Sequence, residues 1–318
     1  MRIKNALKNW RRDPAYRGQM KMNAGRRIQF YNFWAQKLDQ MYWNRWFEAR
    51  PILLSKCFEK KVGFFSVFGN KGIIDHTDCD VNIFYSAENI HQGSFLQYSD
   101  YYLLDGRMGL SMGFDYFEHE KYIRFPNWMD VFFLTLNDVK DVCDKLRYPD
   151  ISGKSRFCAL VSSHDRNGVR TSIVNSINNI DDVSCGGRFM HNDDALRTEF
   201  SDDKMQYLRQ FIFNICPENS NSAGYVTEKI FQSIFSGCIP IYWGSNNRPE
   251  LDVLNKDAII LWNRHGNNDD NVKLITDLME SPKLLNDFIK QPRLLPSAEE
   301  YISYTIRSVE RSIEKLLL

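Results

Sequence analysis

The residues with the most chemical content lie in one run, Cys216-Pro217-Glu218-Asn219-Ser220-Asn221-Ser222-Ala223-Gly224-Tyr225-Val226-Thr227-Glu228-Lys229. An apolar, strand-like segment ends there in a polar loop containing glycine, and a helical pattern starts at Thr227. In an open α/β sheet, ligands gather outside the carboxyl ends of the strands. The first turn of a helix offers unbonded N–H groups at the positive end of its dipole, which suits a diphosphate. Lys229 adds a full charge to that end. Glu228 is out of place beside an anion unless it accepts hydrogen bonds from something else, and ribose hydroxyls are natural donors to an ionised carboxylate. Thr227-Glu228 is equally a plain helix start, and both readings stand at this point.

The elements that must position this run alternate between strand and helix patterns. Residues 27–34, 62–68 and 81–86 read as strands, and Tyr101-Tyr102-Leu103-Leu104 as a fourth. Residues 38–56 read as helical. A turn, Gly69-Asn70-Lys71-Gly72, closes the second strand. The stretch 148–155 is the best linker, and past it the pattern restarts. Strands are expected at 157–162, within 207–216 after a helix end, and at 238–243. Pro240 in the last suggests a strand start or an edge. Helices are expected at 170–180 and 227–236. Such alternation favours parallel sheets. The expected domains are 1–150 and 151–318, two Rossmann-like α/β halves facing across a cleft. In the tail, Ile302, Ile306, Val309, Ile313 and Leu316 fall on one helical face. The expectation is a C-terminal amphipathic helix packed back on the body, with a membrane-surface helix as the alternative.

Three blocks occurring in order resemble the signature of the α1,3/4-fucosyltransferases. They are Phe211-Ile212-Phe213-Asn214-Ile215-Cys216-Pro217-Glu218-Asn219-Ser220, then Tyr225-Val226-Thr227-Glu228-Lys229-Ile230, then Ser236-Gly237-Cys238-Ile239-Pro240-Ile241-Tyr242-Trp243-Gly244. Ala159-Leu160-Val161-Ser162-Ser163-His164 through Val169-Arg170 resembles the family's strand, loop and arginine before a helix, and Val183-Ser184-Cys185-Gly186-Gly187 its glycine-rich follow-up. Phe84-Tyr85-Ser86-Ala87-Glu88-Asn89 resembles the strand end that carries the family's catalytic carboxylate. Two departures stand out: Pro217 replaces a usual aromatic, and the loop before Arg170 is a residue longer than usual.

The resemblance implies a GT-B glycosyltransferase of bacterial type. It would move L-fucose from GDP-fucose, with inversion, to O3 or O4 of N-acetylglucosamine in an N-acetyllactosamine-type oligosaccharide acceptor. In-line displacement needs a base for the acceptor hydroxyl and cations for the departing diphosphate. By resemblance Glu88 is the base, Arg170 and Lys229 clamp the diphosphate, Glu228 holds ribose, and Asn219 and Tyr225 complete the donor pocket. Ile90 and Phe95 stand close enough in sequence to dry Glu88. His91, three residues past Glu88, is a candidate acceptor contact. The alternatives are a GT-B enzyme using another sugar nucleotide, and a non-catalytic glycan-binding protein.

No cofactor is required in this reading, and manganese enters only as a stimulant. Asp78-Cys79-Asp80 is a literal D-x-D, the metal motif of the other glycosyltransferase fold, but it precedes a strand rather than following one, so no metal site is expected. The pairs Asp193-Asp194, Asp202-Asp203 and Asp269-Asp270 are read as solvated, and the remaining histidines as structural or surface residues. With 41 basic and 40 acidic residues, net charge +1, no global field draws the chain to nucleic acid. The seven cysteines lack disulfide or zinc spacing and read as buried small hydrophobes. Residues 1–12 are basic without an apolar core, and no run reaches the roughly 18–20 apolar residues of a membrane span. The expected setting is cytoplasmic, with peripheral contact to the inner membrane as the alternative.

Overall fold

Short apolar runs separated by helices build two parallel sheets in the computed structural model, which describes residues 14–34, 37–101 and 105–318. The first sheet holds β1 (Ile28–Tyr31), β2 (Val62–Phe65), β3 (Val81–Tyr85), β4 (Leu110–Gly113) and β5 (Tyr122–Arg124), in sequential order. The second holds β6 (Arg156–Leu160), β7 (Val183–Cys185), β8 (Phe211–Ile215), β9 (Ile239–Tyr242) and β10 (Ile260–Leu261), in the order β10-β9-β8-β6-β7. Every pair within the two sheets is parallel. Parallel strands are covered on both faces, which is why β2 and β9 are buried at every position and read as unbroken apolar runs.

In the first unit, the helix Tyr42–Glu48 turns Trp43, Trp46 and Phe47 inward. Trp43 stacks on Phe64 of β2 at 5.1 Å and 18°. In the second unit, Phe213, Ile215, Ile239 and Ile241 from the central strands meet Ile173 and Ile177 of the helix Val169–Ile177. The order reverses at β6, with β7 on one side and β8 on the other. That reversal is the switch point where doubly wound sheets open a crevice.

Several expectations shift. The helical stretch 38–56 is a 3₁₀ turn and two short helices, broken at Pro51, which opens the second one. Residues 102–104 of the expected fourth strand lie outside the described residues, and Tyr101 ends a 3₁₀ segment. The strand beside β3 is instead β4, a four-residue run closed by Gly113. Pro240 lies inside a strand with neighbours on both sides. Ile241 O accepts from Cys216 N on the β8 side, and Tyr242 O accepts from Trp262 N on the other. Pro240 therefore faces the β10 side one rung before β10 begins at Ile260↔Ile241, where no ladder bond is lost.

The units divide differently from 1–150 and 151–318. The first consists of the described residues up to Leu136 together with Tyr304–Leu318, and the second of Asn137–Ser303. The helix Leu136–Arg147 is tied into the second by Arg147, whose guanidinium meets Glu299 at 2.8 Å and whose carbonyl accepts from Arg293 N. The end of the last helix, Ala298–Leu317, belongs to the first unit through Arg50–Glu310 (2.8 Å from Nε) and Lys56–Glu314 (3.7 Å). Ile302, Ile306, Val309 and Ile313 of that helix are buried, with Leu317 rather than Leu316 completing the stripe, so its apolar face is spent on packing. Among the described residues no helix is long and apolar enough to cross a membrane. The seven cysteines are unpaired, and all but Cys79 are buried.

Candidate active site

At the carboxyl ends of β6 and β8 a cavity of about 220 Å3 opens in the second unit, at the switch point itself. Residues 160–164 line one side and 214–217 the other, with Asn219, Arg170, Glu228, Lys229 and Lys204 completing the wall. Four of the expected donor residues thus come together: Arg170, Asn219, Glu228 and Lys229. Tyr225 is buried, at 2% exposed, and does not line the cavity.

Arg170 is the second residue of the helix Val169–Ile177, entered through Gly168 at φ 75°. Asp165 secures that start by accepting from Thr171 N and Oγ1, both at 2.8 Å. Arg170 as a residue is 3% exposed. Nη1 donates to His164 O at 3.0 Å, and Nη2 donates to Pro217 O and Asn219 Oδ1, each at 3.1 Å. Burial pulls its pKa down, yet a guanidinium holds its charge throughout the biological range. Arg170 therefore ties both walls together and keeps Nε–H and one Nη1–H for a ligand.

Beneath the cavity lies a residue whose role the sequence reading left open. Glu218 is buried, and four donors converge on its carboxylate: Thr227 N and Thr227 Oγ1 at 2.7 Å, Lys229 Nζ at 3.2 Å, and Tyr242 OH at 3.3 Å. Gly244 closes the packing from below. A Cβ there would sit 2.6 Å from Glu218 Cγ, and its φ of 150° suits glycine alone. The resembling blocks thus meet at one carboxylate, which satisfies the start of the helix Glu228–Phe235 and holds the Lys229 ammonium in place.

Burial opposes the charge on Lys229, but Glu218 and Glu228 outweigh it and push its pKa up. Burial likewise opposes ionisation of Glu228, and Lys229 and Lys204 overcome it, holding that carboxyl below its usual range. Lys204, in the short helix Lys204–Leu208, is a third cation in the wall and donates to Gln232 Oε1 at 2.9 Å. Its pKa is lowered, mainly by burial. His164 also lines the cavity; its buried Nδ1 makes no hydrogen bond, and burial followed by Arg166 and Arg170 lowers its pKa. Nothing in the sequence around Lys204 marked it, since it follows a polar stretch with no motif.

Glu88 and His91 belong to the first unit, in the loop after β3. The Ser86 hydroxyl accepts from Glu88 N at 3.1 Å and donates to Glu88 O at 3.0 Å, which shapes the turn. Glu88 is half-buried, and Ile90, buried, and Phe95, half-buried, pack with the core of this unit. His91 puts Nε2 2.7 Å from Asp115 Oδ1, at the neighbouring strand end. Burial raises the Asp115 pKa against the opposing pull of His91. Asp78 and Asp80 of the D-x-D are both taken up by Lys61, the first by its ammonium and the second by its backbone N–H at 2.8 Å. Among the described residues no group of three or more histidine, cysteine, aspartate or glutamate side chains stands ready for a metal ion. Asp193, expected to be solvated, is not: it binds Arg156 at 2.6 Å and Tyr207 OH at 2.8 Å.

Residues 151–293 match the family model described as glycosyltransferase family 10 (fucosyltransferase) C-term. Residues 28–131 match the alpha-(1,3)-fucosyltransferase FucT N-terminal domain. Together the two cover well over half of the chain. The chain belongs to the fucosyltransferases of glycosyltransferase family 10.

Among the relatives in this family is the alpha-(1,3)-fucosyltransferase FucT of Helicobacter pylori, 27% identical over 213 residues, which are 56% of this chain and 41% of that protein. Alpha-(1,3)-fucosyltransferase B of Drosophila melanogaster is 32% identical over 95 residues, 30% of this chain and 21% of that protein. The chain thus spans less than half the length of these curated relatives. A crystal structure of an alpha1,3-fucosyltransferase with GDP-fucose superimposes with a TM-score of 0.58 at 18% identity, covering 90% of each chain. The two parallel-sheet units are those of the GT-B fold.

Proposed function

We propose that this protein is an inverting fucosyltransferase. It moves L-fucose from GDP-fucose to O3 or O4 of N-acetylglucosamine in an N-acetyllactosamine-type oligosaccharide. The observation that carries the reading is the cavity at the β6/β8 switch point, where Arg170, Lys229 and Lys204 surround space for a diphosphate while Glu228 offers an acceptor for ribose. Family membership supports the choice of fucose, and the relatives' names support the 1,3 linkage over the 1,4.

In the reaction the acceptor oxygen forms a bond to fucose C1 as the C1–O bond to GDP breaks. The acceptor proton passes to Glu88, and the bond pair leaves with the diphosphate. Arg170 and Lys229 offset the negative charge that develops on GDP, a task that preorganised, partly desolvated cations perform without reorganising. Asn219 completes the donor pocket by orienting Arg170; Tyr225, buried outside the cavity lining, has no direct role in this reading. His91, held by Asp115, contacts the acceptor. No metal is needed for charge neutralisation, and manganese acts at most as a stimulant. A reducing, cytoplasmic setting at or near the inner membrane is part of the same reading, with seven unpaired cysteines in its favour.

The test is direct. Purified protein is incubated with GDP-fucose and N-acetyllactosamine, with EDTA and with Mn²⁺, and product linkage is determined by NMR. Fucosylated product with and without EDTA is expected. Absence of both product and GDP release under every condition, or turnover of GDP-mannose or a UDP-sugar instead, overturns the assignment.

A further inference from the structure

The carboxyl edge of the first sheet carries a second feature beside the Glu88 loop. A hollow of about 560 Å3 opens there, floored by aromatic rings. Trp34 follows β1, Phe68 follows β2, and Phe95 lies in the 3₁₀ segment Gly93–Tyr101 that follows β3 and Glu88. The rings form a continuous edge-to-face series, Trp34 to Phe68 at 5.2 Å and 76°, then Phe68 to Phe95 at 5.4 Å and 82°. Trp34 is 68% exposed, an expensive arrangement in water for so large an apolar surface unless something covers it. The polar rim comes from Ser94 and Gln97.

We infer that this hollow is a saccharide subsite, in which Trp34 stacks on the C–H face of a pyranose ring of the acceptor while Ser94 and Gln97 bond its hydroxyls. The inference rests on the fucosyltransferase reading and specifies where the acceptor's further sugar is held. Three observations select a sugar over a protein or lipid occupant. The volume falls within the roughly 300–1,000 Å3 of small-ligand sites, and an apolar floor with a few polar groups at the rim is their usual make-up. An aromatic ring beside hydroxyl and amide groups matches a ligand that is apolar on one face and polar around its edge. The hollow also lies at the same strand-end edge as Glu88, since Trp34, Phe68 and Phe95 follow β1, β2 and β3, which are neighbours in the sheet. A sugar seated there belongs to the same acceptor chain as the hydroxyl Glu88 deprotonates.

Trp34→Ala and Trp34→Phe test this with two independent readouts. The first is kinetic. With N-acetyllactosamine as acceptor, Trp34→Ala should raise acceptor KM about tenfold or more, leave kcat at saturating acceptor and GDP affinity unchanged, and leave the poorer KM for N-acetylglucosamine alone unaltered. Trp34→Phe should fall between. The second is tryptophan emission on titration with lactose. Trp43, Trp46, Trp128, Trp243 and Trp262 are buried and Trp10 lies outside the described residues, so it is the loss of the lactose-dependent change in both variants that assigns it to Trp34. An unchanged disaccharide KM in Trp34→Ala, or no emission change, overturns the subsite. If the wild type makes no fucosylated product, the enzymatic reading fails by itself, and the lactose titration still decides the saccharide site.

Discussion

Exchanging Glu218 for glutamine probes the structural centre of the donor site while changing almost no volume. The carboxylate accepts from Thr227 N and Tyr242 OH on Oε1, and from Thr227 Oγ1 and Lys229 Nζ on Oε2. An amide supplies one accepting oxygen and one donating nitrogen. With the oxygen on the Oε1 side, the backbone N–H at the helix start keeps its partner, and the NH₂ group then faces the Lys229 ammonium. The loss falls on that ion pair. A hydrogen bond to a charged group contributes about 1.5–3 kcal/mol, and removing one partner of a buried pair costs about 3–5 kcal/mol. Glu228, 3.9 Å from Lys229 Nζ, retains part of the compensation. The expected destabilisation is therefore about 3 kcal/mol, against a total of roughly 5–15 kcal/mol for a domain, so the variant folds. Its thermal midpoint should fall by about 6–12 °C. Calorimetric titration with GDP should show at least tenfold weaker binding, because the displaced ammonium no longer faces the cavity. Urea unfolding and GDP affinity both indistinguishable from wild type would refute the claim that Glu218 holds Lys229 in place.

Glu88→Gln should lower kcat by about 10²–10⁴, the range for losing a positioned general base, with GDP affinity unchanged; an equal loss in GDP affinity contradicts the role. Arg170→Lys cannot reproduce contacts to His164 O, Pro217 O and Asn219 at once, so GDP Kd should rise tenfold or more by calorimetry even though the charge is kept. Lys204 has a pKa held below its ordinary 10.5 by burial. Between that lowered value and 10.5 the unfolded chain binds more protons than the folded one, so this group makes unliganded stability rise with pH across that window. A bound diphosphate favours the charged form, so GDP binding in the alkaline range should take up protons. Titration in buffers of contrasting ionisation enthalpy measures this, and Lys204→Met should abolish it.

What local sequence determined is the chemistry of each segment. A polar loop with glycine between the apolar run 211–216 and the amphipathic run 228–235 is a strand, a turn and a helix start in any environment, because backbone geometry and side-chain period are local properties. That was enough to single out Glu228 and Lys229 and to read the tail as a packed helix, while Arg170 and Asn219 came from the resemblance to the family; all four line one cavity. Tertiary structure decided the rest, since burial and electrostatic pairing depend on residues distant in the chain. Glu218 becomes the anchor only because Thr227, Tyr242 and Gly244 close around it. Lys204 enters the cavity from a short helix that nothing nearby foretold. The aspartates Asp78 and Asp193 are spent on Lys61 and Arg156, partners 17 and 37 residues away. The strands β4 and β5 escaped notice because, unlike the comparably short β2 and β9, neither lies in an extended apolar run that stands out in the sequence. The unit boundary, too, follows ion pairs of Arg147 and Arg50 that join residues more than a hundred positions apart.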